Sequence, residues 1–257
     1  MILSRTALID GGSERRGGPS PLCAAPSFTY LIETPDGTRI LFDAAISRNH
    51  EAEWPAPYRD AVGYRPREEQ RFEASLKARR LGPEDIDIVV LSHLHCDHAG
   101  NARLFSAAPT QILVHEREYA AASALTRDMD FYVRADFDLP ARRFTPISGD
   151  LELARGVIAI FLPGHTPGTM GLMVETAAAG TLILTSDACY LAESCVSERC
   201  EARADDRVQW QQSMRKLKAL ARERHATILF GHDHAARHEC QCPIAGEAVV
   251  RYSQPYS

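Results

Sequence analysis

The stretch that most constrains this chain is Ser92-His93-Leu94-His95-Cys96-Asp97-His98-Ala99-Gly100, which follows the apolar run Ile86-Asp87-Ile88-Val89-Val90-Leu91. Three imidazoles and a carboxylate within six positions, at the end of a buried strand and the start of a helix, are costly to desolvate unless a positive charge pairs with them. A divalent ion supplies that pairing. On an extended segment side chains two apart share a face, so His93 and His95 point the same way, and the turn at Asp97-His98 brings two more ligands to the same cavity. H-x-H-x-D-H is dense in the ligand types that suit zinc and its neighbours. By contrast His50, His115, His225, His234 and His238, each taken singly, read as ordinary polar residues.

Three more ligand types stand at the ends of apolar runs. Pro163-Gly164-His165-Thr166-Pro167-Gly168 follows the run 157–162, Ser186-Asp187 follows 181–185, and Gly231-His232-Asp233 follows 227–230. The carboxyl ends of strands are where open sheets commonly gather their sites.

Strand-length apolar runs recur at 28–33, 39–42, 86–91, 111–115, 157–162, 171–175, 181–185 and 227–230, with a hairpin turn at Pro35-Asp36-Gly37. Helical periodicity lies among them at 68–80, 99–106, 116–125 and 206–224. This interleaving predicts a layered α/β architecture in a single domain over 1–257. Two aromatic segments, 45–70 and 126–143, read as long loops or irregular helices inserted into that domain, a common form for binding loops or lids.

The motif together with the separate His165, Asp187 and His232 resembles the metallo-β-lactamase superfamily over nearly the whole chain. The resemblance implies an αββα sandwich with two divalent metal ions: one on His93, His95 and His165, a second on Asp97, His98 and His232, and Asp187 bridging both. Zinc fits these donors, and iron, manganese or cobalt also suit them. The fold hosts many substrates, so residues decide the branch. His98, and Asp187 where the best-known zinc β-lactamases carry Cys, argue against those enzymes. The motif begins with Ser92 rather than the Thr of glyoxalase II, and the chain past His232 is too short for that enzyme's glutathione-binding tail.

The nearest resemblance is to the N-acyl-homoserine-lactone lactonases, carried by the first motif, by Arg134-Ala135-Asp136-Phe137-Asp138, by Asp187-Ala188-Cys189-Tyr190 and by 226–233. It implies that Tyr190 hydrogen-bonds the substrate's carbonyl end and that Asp97 passes a proton to the leaving oxygen. The implied enzyme opens the ring of an N-acyl homoserine lactone. A butyrolactone, a pyridoxolactone, or a thioester, aryl ester or phosphodiester on the same metals are the alternatives. The aromatics of 45–70 and 126–143 leave two readings open, an acyl pocket or a homodimer interface.

Composition narrows the setting. A net charge of -5 with no basic stripe argues against nucleic acid as partner. No run approaches the ~18 apolar residues of a membrane span, and the first residues lack the apolar centre of a secretory signal. Seven cysteines at irregular spacing favour reduced thiols and a cytoplasmic location. Cys96 and Cys189 read as small buried fillers or as oxidation-sensitive thiols, and His238-Glu239-Cys240-Gln241-Cys242 as a surface tail rather than a metal site.

Overall fold

The computed structural model describes residues 2–10, 23–61, 64, 68–200 and 204–233. His234, the 238–242 tract and the side chain of Cys23 lie outside the described residues. The chain divides into two compact units, Met1–Ile147 and Ser148–Ser257.

The first unit is built on a mixed sheet of β1 (Ile2–Asp10), β2 (Cys23–Glu33), β3 (Arg39–Phe42), β4 (Ile88–Val90), β5 (Gln111–His115) and β6 (Phe144–Ile147), in that spatial order. The Asp36-Gly37 turn closes the β2–β3 hairpin, with Gly37 at φ +89 and its N–H donating to Thr34 O at 3.0 Å. From β3 onward the pairing is parallel. Parallel strands need long crossovers. These carry α1 (His50–Glu53), α2 (Ala56–Ala61), α3 (Phe72–Lys77), α4 (Cys96–Ala99), α5 (Glu116–Ser123) and α6 (Arg134–Phe137). Ile40, Leu41, Phe42, Val89, Val90, Ile112 and Val114 are fully buried, the near-continuous apolar pattern of strands covered on both faces.

Parallel pairing continues past the strand ends, where Asp43 N donates to Val90 O and Leu91 N to Leu113 O, both at 2.9 Å. It therefore delivers Asp43 and the Ser92-His93 segment to the same carboxyl edge. The helical stretch expected over 68–80 is a 3-10 turn at Glu68–Gln70 followed by α3, and that expected over 99–106 is α4 followed by a 3-10 turn at Ala102–Phe105. The Arg143 guanidinium accounts for the next crossover's return, donating to Phe105 O, Ala108 O and Thr110 O at 2.6, 2.9 and 2.9 Å.

Asp136, on α6, is fully buried, and among the described residues neither of its carboxylate oxygens has a hydrogen-bond partner. Burial, and next to it the charge of Glu53, raise its pKa well above the usual carboxylate range. The unfolded carboxyl ionises from about pH 4 while the folded one keeps its proton, so unfolding releases a proton and stability falls as pH rises. Relative to Asp136→Asn, the wild-type chain is expected to lose about 1.4 kcal/mol per pH unit above about 4, until its folded-state pKa is passed. Denaturant midpoints of both proteins at pH 5 and 7 check this. Parallel pH profiles would mean that Asp136 ionises normally in the fold.

The second unit holds a sheet ordered β11 (Thr227–Leu229), β10 (Gly180–Leu184), β9 (Met170–Thr176), β8 (Val157–Phe161), β7 (Leu151–Ala154), antiparallel except for the β10–β11 pair. Its helices are α7 (Ala192–Ser197) and α8 (Arg207–Glu223). Asp206 caps α8, its carboxylate accepting from Val208 N and Gln209 N at 2.9 and 3.0 Å. One face of α8, with Trp210, Met214, Leu217 and Ala221, is buried among Ile160, Leu162, Ile183, Ile228 and Phe230. Among the described residues no helix is long and apolar enough to cross a membrane.

Candidate metal centre

In the first unit His93, His95, Asp97 and His98 are all buried. His95 is the N-cap of α4, so Asp97 and His98 stand in its first turn, as the motif predicts. His93 and His95 each offer a donor atom within 4.8 Å of the other's, with ring centroids 4.6 Å apart, and the ring of His98 lies 4.3 Å from that of His93. His98 Nε2 is 3.1 Å from Asp97 Oδ2.

The residue that organises these rings is one the motif reasoning passed over. Asp43, at φ +66, is buried at the end of β3 and accepts from Ser92 N at 2.7 Å, Ser92 Oγ at 3.0 Å and His98 Nδ1 at 2.8 Å. A carboxylate only accepts, so His98 carries its proton on Nδ1 and leaves Nε2 as the electron-pair donor. The Ser92 hydroxyl spends its one proton on Asp43, so its 3.0 Å contact with His93 Nδ1 is donated by His93, which leaves Nε2 of that ring as donor too. The signal was available in the sequence: an acid directly after the apolar run Arg39–Phe42, the same pattern that marked Asp187.

In the second unit His165, Asp187 and His232 meet through three backbone devices. Gly164 sits at φ +135 against α8, where a Cβ would lie 2.3 Å from Trp210 N, and the chain is tied there by Asp206 N donating to Gly164 O at 3.0 Å and Ser213 Oγ to Pro163 O at 2.6 Å. Parallel pairing of β10 and β11 runs on through Thr185 N to Leu229 O at 3.0 Å, so the two chain ends carrying Asp187 and His232 emerge side by side. At Gly231 a Cβ would lie 2.3 Å from Ser186 O, so only glycine admits this approach. Gly231 N then donates to Cys189 O and His232 N to Tyr190 O, both at 3.0 Å.

The outcome is a single carboxylate between two imidazoles. Asp187 Oδ1 is 2.9 Å from His232 Nε2, and Asp187 Oδ2 is 3.3 Å from His165 Nε2. A tetrahedral ion with N and O ligands at about 2.0–2.2 Å spaces neighbouring donors by about 3.3 Å, so donor pairs at these separations suit a shared cation. The half-buried Tyr190 lies beside both rings, its hydroxyl 3.5 Å from His165 Nδ1 and its ring centroid 4.7 Å from that of His232.

Within the first unit His93, His95, Asp97 and His98 are thus buried together, and within the second His165, Asp187 and His232. Cys96 and Cys189 are buried beside them in apolar clusters. Of the single histidines, His115 is a structural N-cap accepting from Arg117 N, and His50 is buried edge-on between Trp54 and Tyr64. Segments 45–70 and 126–143 meet at Tyr58 and Phe131, whose rings stack at 4.8 Å and 12° while Phe131 N donates to Tyr58 Oη at 3.0 Å.

The family model of the metallo-beta-lactamase superfamily matches residues 24–232, and the chain belongs to that superfamily and has its fold. Curated relatives are N-acyl homoserine lactonases: AiiA of Bacillus thuringiensis subsp. kurstaki is 32% identical over 227 residues, 87% of each chain. AiiB of Agrobacterium fabrum is 32% identical over 230 residues, 83% of this chain and 82% of its own. Among solved structures, an N-acyl homoserine lactone hydrolase with N-hexanoyl-L-homoserine bound at its catalytic metal centre superposes with a TM-score of 0.76 at 28% identity, over 94% of this chain and 98% of that one. A Bacillus thuringiensis AiiA variant holding N-decanoyl-L-homoserine gives a TM-score of 0.77 at 28% identity, over 94% and 98%.

Proposed function

We propose that this chain is a metal-dependent lactonase that opens the ring of N-acyl homoserine lactones, with its two units serving as halves of a single catalytic domain. The observation that carries the reading is Asp187 between two imidazoles, each carboxylate oxygen facing a different ring. As the family resemblance implies, His93, His95 and His165 are assigned to one ion and Asp97, His98 and His232 to the other, with Asp187 shared by both. Imidazole and carboxylate donors suit zinc first, then iron, manganese or cobalt. Bound there, two divalent ions would supply hydroxide from water near pH 7 and polarise the lactone carbonyl.

The chain's own residues do the rest. The Tyr190 hydroxyl donates to the carbonyl oxygen as it gains charge, a preorganised interaction worth up to ~2.7–4 kcal/mol for a sole donor. Asp97 takes the proton from the attacking oxygen and passes it to the ring oxygen as the acyl C–O bond breaks, leaving a carboxylate and an alcohol. Tyr58 and Phe131, stacked and half-buried with Phe131 6.3 Å from His95, offer an apolar face to the acyl chain.

Ring opening releases an acid whatever the acyl group, so pH-stat titration across a substrate panel tests the assignment. N-acyl homoserine lactones are expected to exceed β-lactams, phosphodiesters and glutathione thioesters in kcat/KM by about 10³-fold or more, the span that differential transition-state binding supplies. Preference for a butyrolactone or pyridoxolactone would move the substrate within the lactones. Comparable rates on any of the other three classes would overturn the lactonase reading.

A further inference from the structure

Glu118 belongs to none of the ligand sets, yet it is fully buried on α5 beside the metal motif. Its Oε1 accepts from two groups at once, Leu94 N at 2.9 Å and Tyr132 Oη at 2.9 Å. Leu94 is the residue between His93 and His95, and its own side chain is fully buried. Because side chains alternate along an extended segment, holding the Leu94 peptide fixes the direction in which both flanking imidazoles leave the backbone. Tyr132 acts on the same ligand from the other side: its ring meets that of His95 edge-on at 4.7 Å and 75°, and the two residues pair as an antiparallel bridge. The adjacent Phe131 O accepts from Cys96 N at 2.9 Å. One carboxylate oxygen thus ties together α5, the peptide between two ligands and the aromatic loop 129–132.

We propose that Glu118 is a positioning residue for the metal centre, holding His93 and His95 at their ligating angle through Leu94 N–H and through the Tyr132 ring. The inference rests on the metal reading above and on no assumption about the substrate. Both bonds end on the same oxygen, so a glutamine at this position keeps them with its carbonyl, whereas alanine leaves a buried N–H and a buried O–H without that acceptor.

The test uses the full chain loaded with zinc and titrated with a chromophoric chelator, alongside heat unfolding of the same samples. Glu118→Ala is expected to weaken zinc retention by about 10-fold or more, Glu118→Gln to stay within about 3-fold of wild type, and Tyr132→Phe to fall between them. A bystander role would lower the melting temperature and leave the zinc titration unmoved, and Glu118→Ala titrating like wild type overturns the proposal. If Glu118→Ala does not fold, Tyr132→Phe decides: its ring packing is kept and one donor is lost, and unchanged zinc retention in it is the overturning result. A wild-type chain that takes up no zinc would remove the metal reading itself and this inference with it. A wild type holding two equivalents, with variants indistinguishable from it, would remove this inference alone.

Discussion

Asp187→Ala is expected to lose both metal ions and, with them, essentially all hydrolysis. The carboxylate faces His232 with one oxygen at 2.9 Å and His165 with the other at 3.3 Å, so its removal takes a donor from each proposed ligand set. It also takes away a negative charge that offsets two cations in a buried site. Elemental analysis should fall from about two equivalents per chain towards none, and kcat/KM by on the order of 10³-fold or more, equivalent to ~4 kcal/mol. The side chain is small and its 3-10 turn is closed by backbone bonds, Ala188 N to Thr185 O at 3.2 Å and Cys189 N to Ser186 O at 3.4 Å, so far-ultraviolet circular dichroism should stay close to wild type. A folded Asp187→Ala protein that keeps two ions would refute the bridging role, and one that keeps a single ion would assign Asp187 to one site only.

Tyr190→Phe should leave the metals in place and still slow the reaction. The ring packs against His165 and His232 with centroids at 5.5 and 4.7 Å, and Phe preserves that packing while removing one hydroxyl donor. Sharing the oxyanion with a metal makes the loss smaller than for a sole donor. The expected drop is ~10- to 100-fold in kcat/KM, or ~1.4–2.7 kcal/mol. A fall in kcat would mean a bond realised in the transition state, and a change confined to KM a contact made equally in the ground state. Unchanged kinetics on the best lactone would reduce Tyr190 to a rim aromatic and leave the substrate to be assigned by other residues.

The elements read most easily from the sequence were those whose burial imposes a period. β3 and β5 match the expected 39–42 and 111–115, and α8 falls within one residue of the expected 206–224 at each end, because covered strands and a helix with one core face leave unbroken or periodic apolar patterns. The three strands that went unread, β1, β6 and β7, are all sheet edges. Edges need less apolar sequence, and β6 even holds Pro146, tolerable where a strand's outer side has no partner to bond. The helices of 45–70 were illegible for a related reason: α1 and α2 are a turn or so long and are held by neighbours such as Trp54 and Tyr64 rather than by propensity.

The candidate site divides along the same line. The proposed ligands were legible in the sequence alone, because a dense set of imidazoles and carboxylates at strand ends has few stable uses without a cation. Which nitrogen of His93 and His98 is left as electron-pair donor was not, since that depends on Asp43, 49 residues before Ser92 and 55 before His98, accepting from both of them. The same holds for Glu118, 24 residues beyond Leu94 and brought back only by the crossover through β5 into α5. Chemistry that resides in residue type is visible in one dimension. Orientation arises from hydrogen bonds between segments that only parallel sheet pairing brings together, and the tertiary structure alone decides it.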